Sequence, residues 1–299
     1  MSDIQQPNVV NSEPIVAERK ETRFFQFWRE FRKKKPALIS LFFILFLVLI
    51  MIIGPYVVPY DSAEPNYNRV LEPPTAEHLF GTDAFGRDIL SRLAVGARLT
   101  LSVSISAVIL GAILGTILGL ISGFFGKWID RLIMRVCDVL FAFPDLILAI
   151  GIVAILGPGM RNVVIAVSFF SIPSFARIVR SATLEAKEML FVEATRSIGA
   201  SNKRIIWKHI FPETVSTIIV YFTMKVGTAI LAAASLSFLG LGAEPSSPDW
   251  GAMLSKSRDY IDSAFHLVFF PGLIIFLTVL AFNLLGDGLR DVLDPKTKD

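Results

Sequence analysis

The sequence holds one cysteine, Cys137, in 299 residues. That excludes an intrachain disulfide, and a lone thiol inside an apolar run reads as a small buried apolar side chain. Histidine is almost as scarce: His78, His209 and His266 are scattered, with no His-Glu-x-x-His and no cysteine pair, so no metal site is expected. The single Gly-Lys step, in Gly123-Phe124-Phe125-Gly126-Lys127-Trp128, lacks the spacing and the hydroxyl of a phosphate-binding P-loop. ATP and Mg are therefore not expected to bind to this chain through such a loop. Charge is thin as well, at 18% of residues, where soluble globular chains carry about a quarter.

What fills the sequence is apolar: 53% of residues are hydrophobic and the mean hydropathy is +0.60. A membrane-crossing helix needs about 20 mostly apolar residues. Six windows meet that need, at 37–58, 99–124, 132–157, 163–180, 214–239 and 264–286. The chain is expected to be an all-α membrane protein with six transmembrane helices. The first window starts too far along the chain, with no small-residue cleavage site after it, to read as a cleaved signal, so it is expected to stay as a helix. Before it, residues 1–35 read as a polar tail ending in an amphipathic segment. There Phe24, Phe25, Phe27, Trp28 and Phe31 alternate with basic residues, a pattern suited to the membrane interface; a simple basic stop before the first helix fits equally well.

Six crossings leave both termini on one side. Of 29 Lys and Arg, 20 fall on the face with the termini and the loops 125–131 and 181–213, counting Arg177 and Arg180 at the fourth segment's exit. Only 7 fall on the opposite face, with the loops 59–98, 158–162 and 240–263; Arg135 and Lys225 lie inside segments near the first face. Basic loops stay in the cytoplasm, so both termini are expected there, in a multi-pass protein of the cell membrane surrounded by lipid. The net charge of +3 follows from this bias and does not suggest a nucleic-acid partner.

Several local patterns stand out. The external run Gly81-Thr82-Asp83-Ala84-Phe85-Gly86-Arg87-Asp88 is dense in turn formers and charge. It reads as a pinned turn into the second segment, with an ion or phosphate loop as the alternative. Gly111, Gly115, Gly119 and Gly123 recur every fourth residue. They share one helix face and form a groove for close helix packing, in this chain or with another. Pro144 and Asp145 fall inside the third window. Either a kinked helix brings a carboxylate to a translocation path, or Asp145 begins a separate short helix. Pro173 repeats the theme in the fourth window. The run Ser237 to Leu254 reads as an external re-entrant or surface loop, and Gly286-Asp287-Gly288 as a helix leaving the membrane.

The stretch Leu184–Pro212 is polar between two apolar segments. It reads as helix, break at Gly199, then a second amphipathic turn stopped by Pro212. An ordered polar hairpin at a membrane surface calls for a binding partner. Here Glu193-Ala194-Thr195, Gly199 and Pro212 resemble the E-A-A, G, I-x-L-P loop of permease subunits of ATP-binding-cassette importers. Thr195 stands for the third residue, and His209 and Phe211 stand for the apolar pair before the proline. FGTDAFGRDILSRL, RIIWKHIFP, FLGLGAEPSSPDWG and AFNLLGDGLRDVLDPK are similar to the C-type subunit of dipeptide and oligopeptide importers, with nickel and glutathione carriers close by.

The resemblance implies a type I importer permease fold. It divides the chain into the tail 1–35, the first helix and external loop 36–98, a five-helix core 99–289 containing the coupling loop 181–213, and the tail 290–299. It implies a non-catalytic translocation subunit that moves di- or oligopeptides by alternating access. It also implies the partners: a second homologous permease subunit in a heterodimer, two ATPase subunits that bind ATP and Mg, and an extracytoplasmic solute-binding protein. Glu193, Ala194, Thr195, Arg196, Gly199, Ala200, Lys203 and Pro212 are the expected coupling residues. An ion-coupled secondary transporter, or an intramembrane enzyme using Asp287, is the reading of another class.

Overall fold

The computed structural model describes residues 23–244 and 246–293, with nothing said of the side chains of residues 23 and 24. The polar tail before residue 23, Pro245 in the re-entrant motif and residues 294–299 of the C-terminal motif lie outside the described residues. The described residues are helical throughout, with one isolated bridge between Thr82 and Asp88.

Two helices open the chain. Helix α1 (Arg23–Lys33) is amphipathic, and its Phe31 is buried where Phe27 and Trp28 stack on it. Helix α2 (Lys35–Val57) starts with a proline in its first turn, where the missing N–H costs nothing. Most of its large side chains face outward, while Ala37, Ser40, Ile44, Leu47 and Gly54 turn inward toward α3 and α11.

Helix α3 (Ile89–Phe125) begins ten residues before the apolar window it contains. Its first turns carry Arg92 and Arg98, which hide the helix from a hydropathy reading. Asp88 caps it by accepting from Ser91 N at 2.7 Å. Its 37 residues make a rod about 55 Å long at about 1.5 Å per residue. The glycine stripe lies against α6 (Met160–Lys187) of the same chain. A β-carbon on Gly111, Gly115, Gly119 or Gly123 would fall 2.5–2.7 Å from side chains of Ser171, Phe175 and Thr183 or from Ala176 O. Helix α6 runs unbroken through Pro173, which is buried. The lost backbone bond there is offset by packing on both sides of it, at Ser171 and at Phe175, into the glycine groove.

The third window is not one helix. Helix α4 (Lys127–Phe141) and α5 (Asp145–Leu156) meet at 90°, and Pro144 sits at the break with extended backbone before α5. Asp145 is thus the first residue of a separate helix. The fourth window also grows at both ends, because Arg177, Arg180 and Lys187 ride on α6 beyond its apolar part.

After α6 come α7 (Leu190–Ser197), α8 (Asn202–Ile205) and α9 (Phe211–Phe238). Pro212, expected to stop a helix, does not. Ile206–Ile210 is a single π-type turn in which Phe211 N–H bonds Ile206 O. That wider turn makes room for a ring that lacks an N–H, and the helix continues from Asn202 to Phe238. Lys225, expected near the basic end, lies buried about half-way along α9.

The run after α9 folds back as α10 (Trp250–Ser257), and α11 (His266–Leu293) closes the chain. Asp249 caps α10 through Gly251 N and Ala252 N, each at 3.0 Å, and takes a bond from Thr100 Oγ1 at 2.9 Å. Trp250 is wholly buried and donates to Leu93 O at 3.0 Å.

The glycine groove yields a direct test. Gly115→Val forces α3 off α6 and is expected to cost about 1–3 kcal/mol or more of stability. Gly151→Ala, where nothing lies within 4 Å of the new carbon, is expected to cost nothing. Thermal unfolding in detergent, read by size-exclusion chromatography, separates the two; equal melting temperatures would contradict the packing described.

Candidate functional site

The hairpin owes its rigidity to a small core of its own. Val192, Ile205, Ile206 and Ile210 are buried together with Leu120 and Phe124 of α3 and Val179 and Ala186 of α6. The sequence arranges this by setting one apolar residue inward per turn on each arm. Gly199 makes the reversal with φ +82°, a left-handed value. No neighbour crowds it, so backbone conformation alone favours glycine there. Ser201 then caps the second arm by accepting from Arg204 N.

Charged contacts tie the hairpin's base. Lys187 Nζ donates to Phe124 O at 2.8 Å. Arg180 forks onto Asp130 of α4 at 2.5 and 2.7 Å. Arg196 lays its guanidinium 5.9 Å from the Phe124 ring.

The expected coupling residues divide into two groups. Glu193, Ala194, Arg196 and Gly199 are exposed on the first arm and its turn, and Lys203 on the second. Thr195 and Ala200 are half-buried; Thr195 Oγ1 donates to Phe191 O at 2.7 Å, and Ala200 packs on the hairpin core. Pro212 is exposed at the start of α9, away from the turn. Two residues join this surface that charge-based reading passes over: Leu190 and Ile198, 83% and 84% exposed. With Glu193, Ala194 and Ser197 they fall at spacings of three and four, on one face of α7. The signal was there in the sequence, as aliphatic residues on the polar side of an amphipathic helix.

The other singled-out residues sit elsewhere. Thr82 is buried, with its hydroxyl donating to Arg69 O and accepting from Glu72 N at 2.9 Å. Asp83 accepts from Phe85 N and Arg87 N and pairs with the Arg87 guanidinium at 2.7 Å. Asp88 splits its oxygens between Ser91 N and His78 Nδ1, at 2.7 and 2.9 Å. Gly81 and Gly86 take φ of 77° and 74°. These carboxylates are occupied within the chain, so the run is the pinned turn into α3. It stands at the opposite end of α3 from the hairpin and is no part of the same site.

Pro144 and Pro173 flank a third place, inside the membrane-spanning body. Asp145 Oδ2 lies 3.7 Å from Lys225 Nζ, and that ammonium stands 5.3 Å from the Phe170 ring. Below this level, between α6, α9 and α11, a cavity of about 670 Å³ opens on the hairpin's side of the molecule. Asp287 is one exposed residue of α11, with no second carboxylate described beside it.

Comparison with known proteins follows the same lines. Residues 115–299 match the family described as the binding-protein-dependent transport system inner membrane component. Residues 22–74 match the N-terminal TM domain of oligopeptide transport permease C. The chain is 52% identical over 292 residues, 97% of its length and 96% of the relative's, to the glutathione transport system permease protein GsiD of Shigella boydii serotype 4 (strain Sb227). The corresponding protein of Shigella flexneri serotype 5b (strain 8401) is 53% identical over the same span. Among solved structures, a chain of the MetNI methionine ABC transporter in an inward-facing conformation superposes with a TM-score of 0.56. It is 20% identical and covers 67% of this chain and 96% of its own, a likeness of fold.

The hairpin core is separable from its surface. Ile205→Ala is expected to lose about 2–5 kcal/mol from local packing and to open the 188–212 segment to protease. Ile198→Ala should leave the digestion pattern unchanged. Equal protease resistance in both variants would show that the hairpin is not held by this core.

Proposed function

Since this chain belongs to the family of binding-protein-dependent transport system inner membrane components, we propose that it is the non-catalytic permease subunit of an ATP-driven importer of di- and oligopeptides. Family membership sets aside the ion-coupled carrier and the intramembrane enzyme. Three further elements belong to the proposal. The hairpin faces the cytoplasm with both termini, as the excess of Lys and Arg on that side requires. A second permease subunit completes the pore, and an extracytoplasmic binding protein delivers the solute. Two ATPase subunits, which bind ATP and Mg, receive the hairpins.

The observation that carries this reading is a rigid hairpin with an unpaired apolar surface. Leu190 and Ile198 are solvent-exposed at a level outside any membrane core, flanking Glu193. Such a patch marks a docking surface. Its base is packed into α3 and α6, so force on it passes to the membrane helices rather than being lost in a flexible loop. ATP drives the cycle by its differential affinity for the two states of the assembly.

The substrate class rests on two supports. The N-terminal match is to an oligopeptide permease domain. The 52%-identical relatives are glutathione permeases, and glutathione is itself a small peptide. We therefore favour short peptides, glutathione among them, with a nickel chelate as the remaining alternative.

The test uses the four-subunit importer in proteoliposomes with its binding protein. Glu193→Lys reverses the charge on the docking face, and Gly199→Val strains the turn. Each is expected to cut ATP-driven peptide uptake at least about ten-fold, the size of one lost interface anchor. Both variants should remain in the membrane at normal levels. Normal uptake by both would overturn the coupling role.

A further inference from the structure

Two ion pairs inside this molecule differ in kind. Arg180 and Asp130 form a closed fork, with both guanidinium–carboxylate distances at 2.5–2.7 Å. Asp145 and Lys225 stand apart at 3.7 Å, beyond hydrogen-bonding distance, and the Asp145 side chain is 52% exposed while that of Lys225 is only 10% exposed. A pair kept for packing closes as the first one does. The second is open on the carboxylate side, at mid-height of α9 and at the 90° break between α4 and α5.

That position is costly for charge. A lone ammonium or carboxylate in the membrane interior is strongly disfavoured, and such groups usually line a pathway. Broken helices at mid-membrane likewise mark binding places in transporters, because the break frees backbone and aims a helix end at the ligand. Asp145 is the first residue of α5, so the positive end of that helix lies beside the pair.

A route leads to it. The cavity of about 670 Å³ has an α9 wall that runs from Glu213 to Met224, and Tyr221 is on that wall. Lys225 follows Tyr221 by one turn on the same face. Glu185 and Arg290 line the cavity at its wide end. Ligand pockets for small molecules run to about 300–1,000 Å³, and a short peptide fits within that range.

We propose that Asp145 and Lys225 are the seat for the two charged ends of the transported peptide, Lys225 taking its carboxylate and Asp145 its ammonium. In the empty protein each group neutralises the other. A zwitterion inserted between them replaces one neutral arrangement by another, so no net charge is brought into the membrane interior. The proposal rests on the peptide-import reading above. It adds a specificity-determining pair to which only residue 145 contributed a signal in the sequence.

The experiment is equilibrium dialysis of labelled tri-alanine and its C-terminal amide against the purified four-subunit importer, without binding protein. The wild type is expected to bind tri-alanine at least about ten-fold more tightly than the amide, since a charged hydrogen bond is lost in the amide. Lys225→Gln should erase that preference, and Asp145→Asn should erase the parallel preference over N-acetyl-tri-alanine. A wild type that does not discriminate, or a Lys225→Gln importer that keeps the full preference, would overturn the proposal. So would a double variant, Asp145→Asn with Lys225→Gln, that binds tri-alanine as the wild type does, because that marks a structural strut. Peptide uptake into wild-type vesicles without measurable binding sinks this proposal alone. Absence of any ATP-driven peptide uptake sinks the import reading and this proposal with it.

Discussion

The close approach of α3 and α6 is the constraint on which the rest of the structure depends. Four glycines remove every side chain from one face of α3, and α6 lies in the space they leave. The ends of those two helices then form a platform. Leu120, Phe124, Val179 and Ala186 on that platform bury Val192, Ile205, Ile206 and Ile210 of the hairpin. If the helices were separated by one methyl group, the platform would split and the hairpin would lose its base. In lipid there is little hydrophobic gain in pressing helices together, so tight steric fit is what holds them. The Arg180–Asp130 fork and the Lys187–Phe124 bond add directional contacts at the same end.

The far side of the molecule is built on a different principle. Arg92 is buried and donates to three carbonyls, of Ser62, Ser246 and Ser247, at 2.7–3.2 Å. One guanidinium thus joins the loop before α3 to the loop before α10. Asp249, Thr100 and Trp250 make a second junction a few turns along α3. Backbone carbonyls that would otherwise be left unpaired in irregular segments are satisfied by side chains from a regular helix.

Long apolar runs and the four-residue glycine spacing were legible from residue types alone, because both are repetitive and local. The hairpin's turn was legible for the same reason, since Gly199 and Ser201 act on their neighbours. Helix ends were less so. Arg92 and Arg98 look like loop residues until their partners, about 150 residues away for Arg92, are known. Pro212 and Pro173 look like stops, but a π-type turn absorbs one and packing absorbs the other. Pro144, by contrast, ends its helix. The three prolines differ in surroundings that no short window contains. Lys225 was invisible as a site for the same reason: its partner is 80 positions earlier, across a bend that composition does not report.

The unbroken helix from Asn202 to Phe238 has a mechanical consequence. It is a single stiff rod of 37 residues, about 55 Å long, with the hairpin's second arm at one end. Its tightest contacts with α11 lie at Met224 and Gly227, where Gly286 and Val279 press against it. A rod held there is a lever with unequal arms, roughly twice as long on the hairpin side as on the other. A push of a few ångströms at the hairpin would tilt the rod about that fulcrum. The far tip beside α10 would swing the opposite way by about half as much, and Lys225, next to the fulcrum, would scarcely move. The residue that the geometry puts at the centre of the molecule is thus also close to the point about which its longest helix would turn.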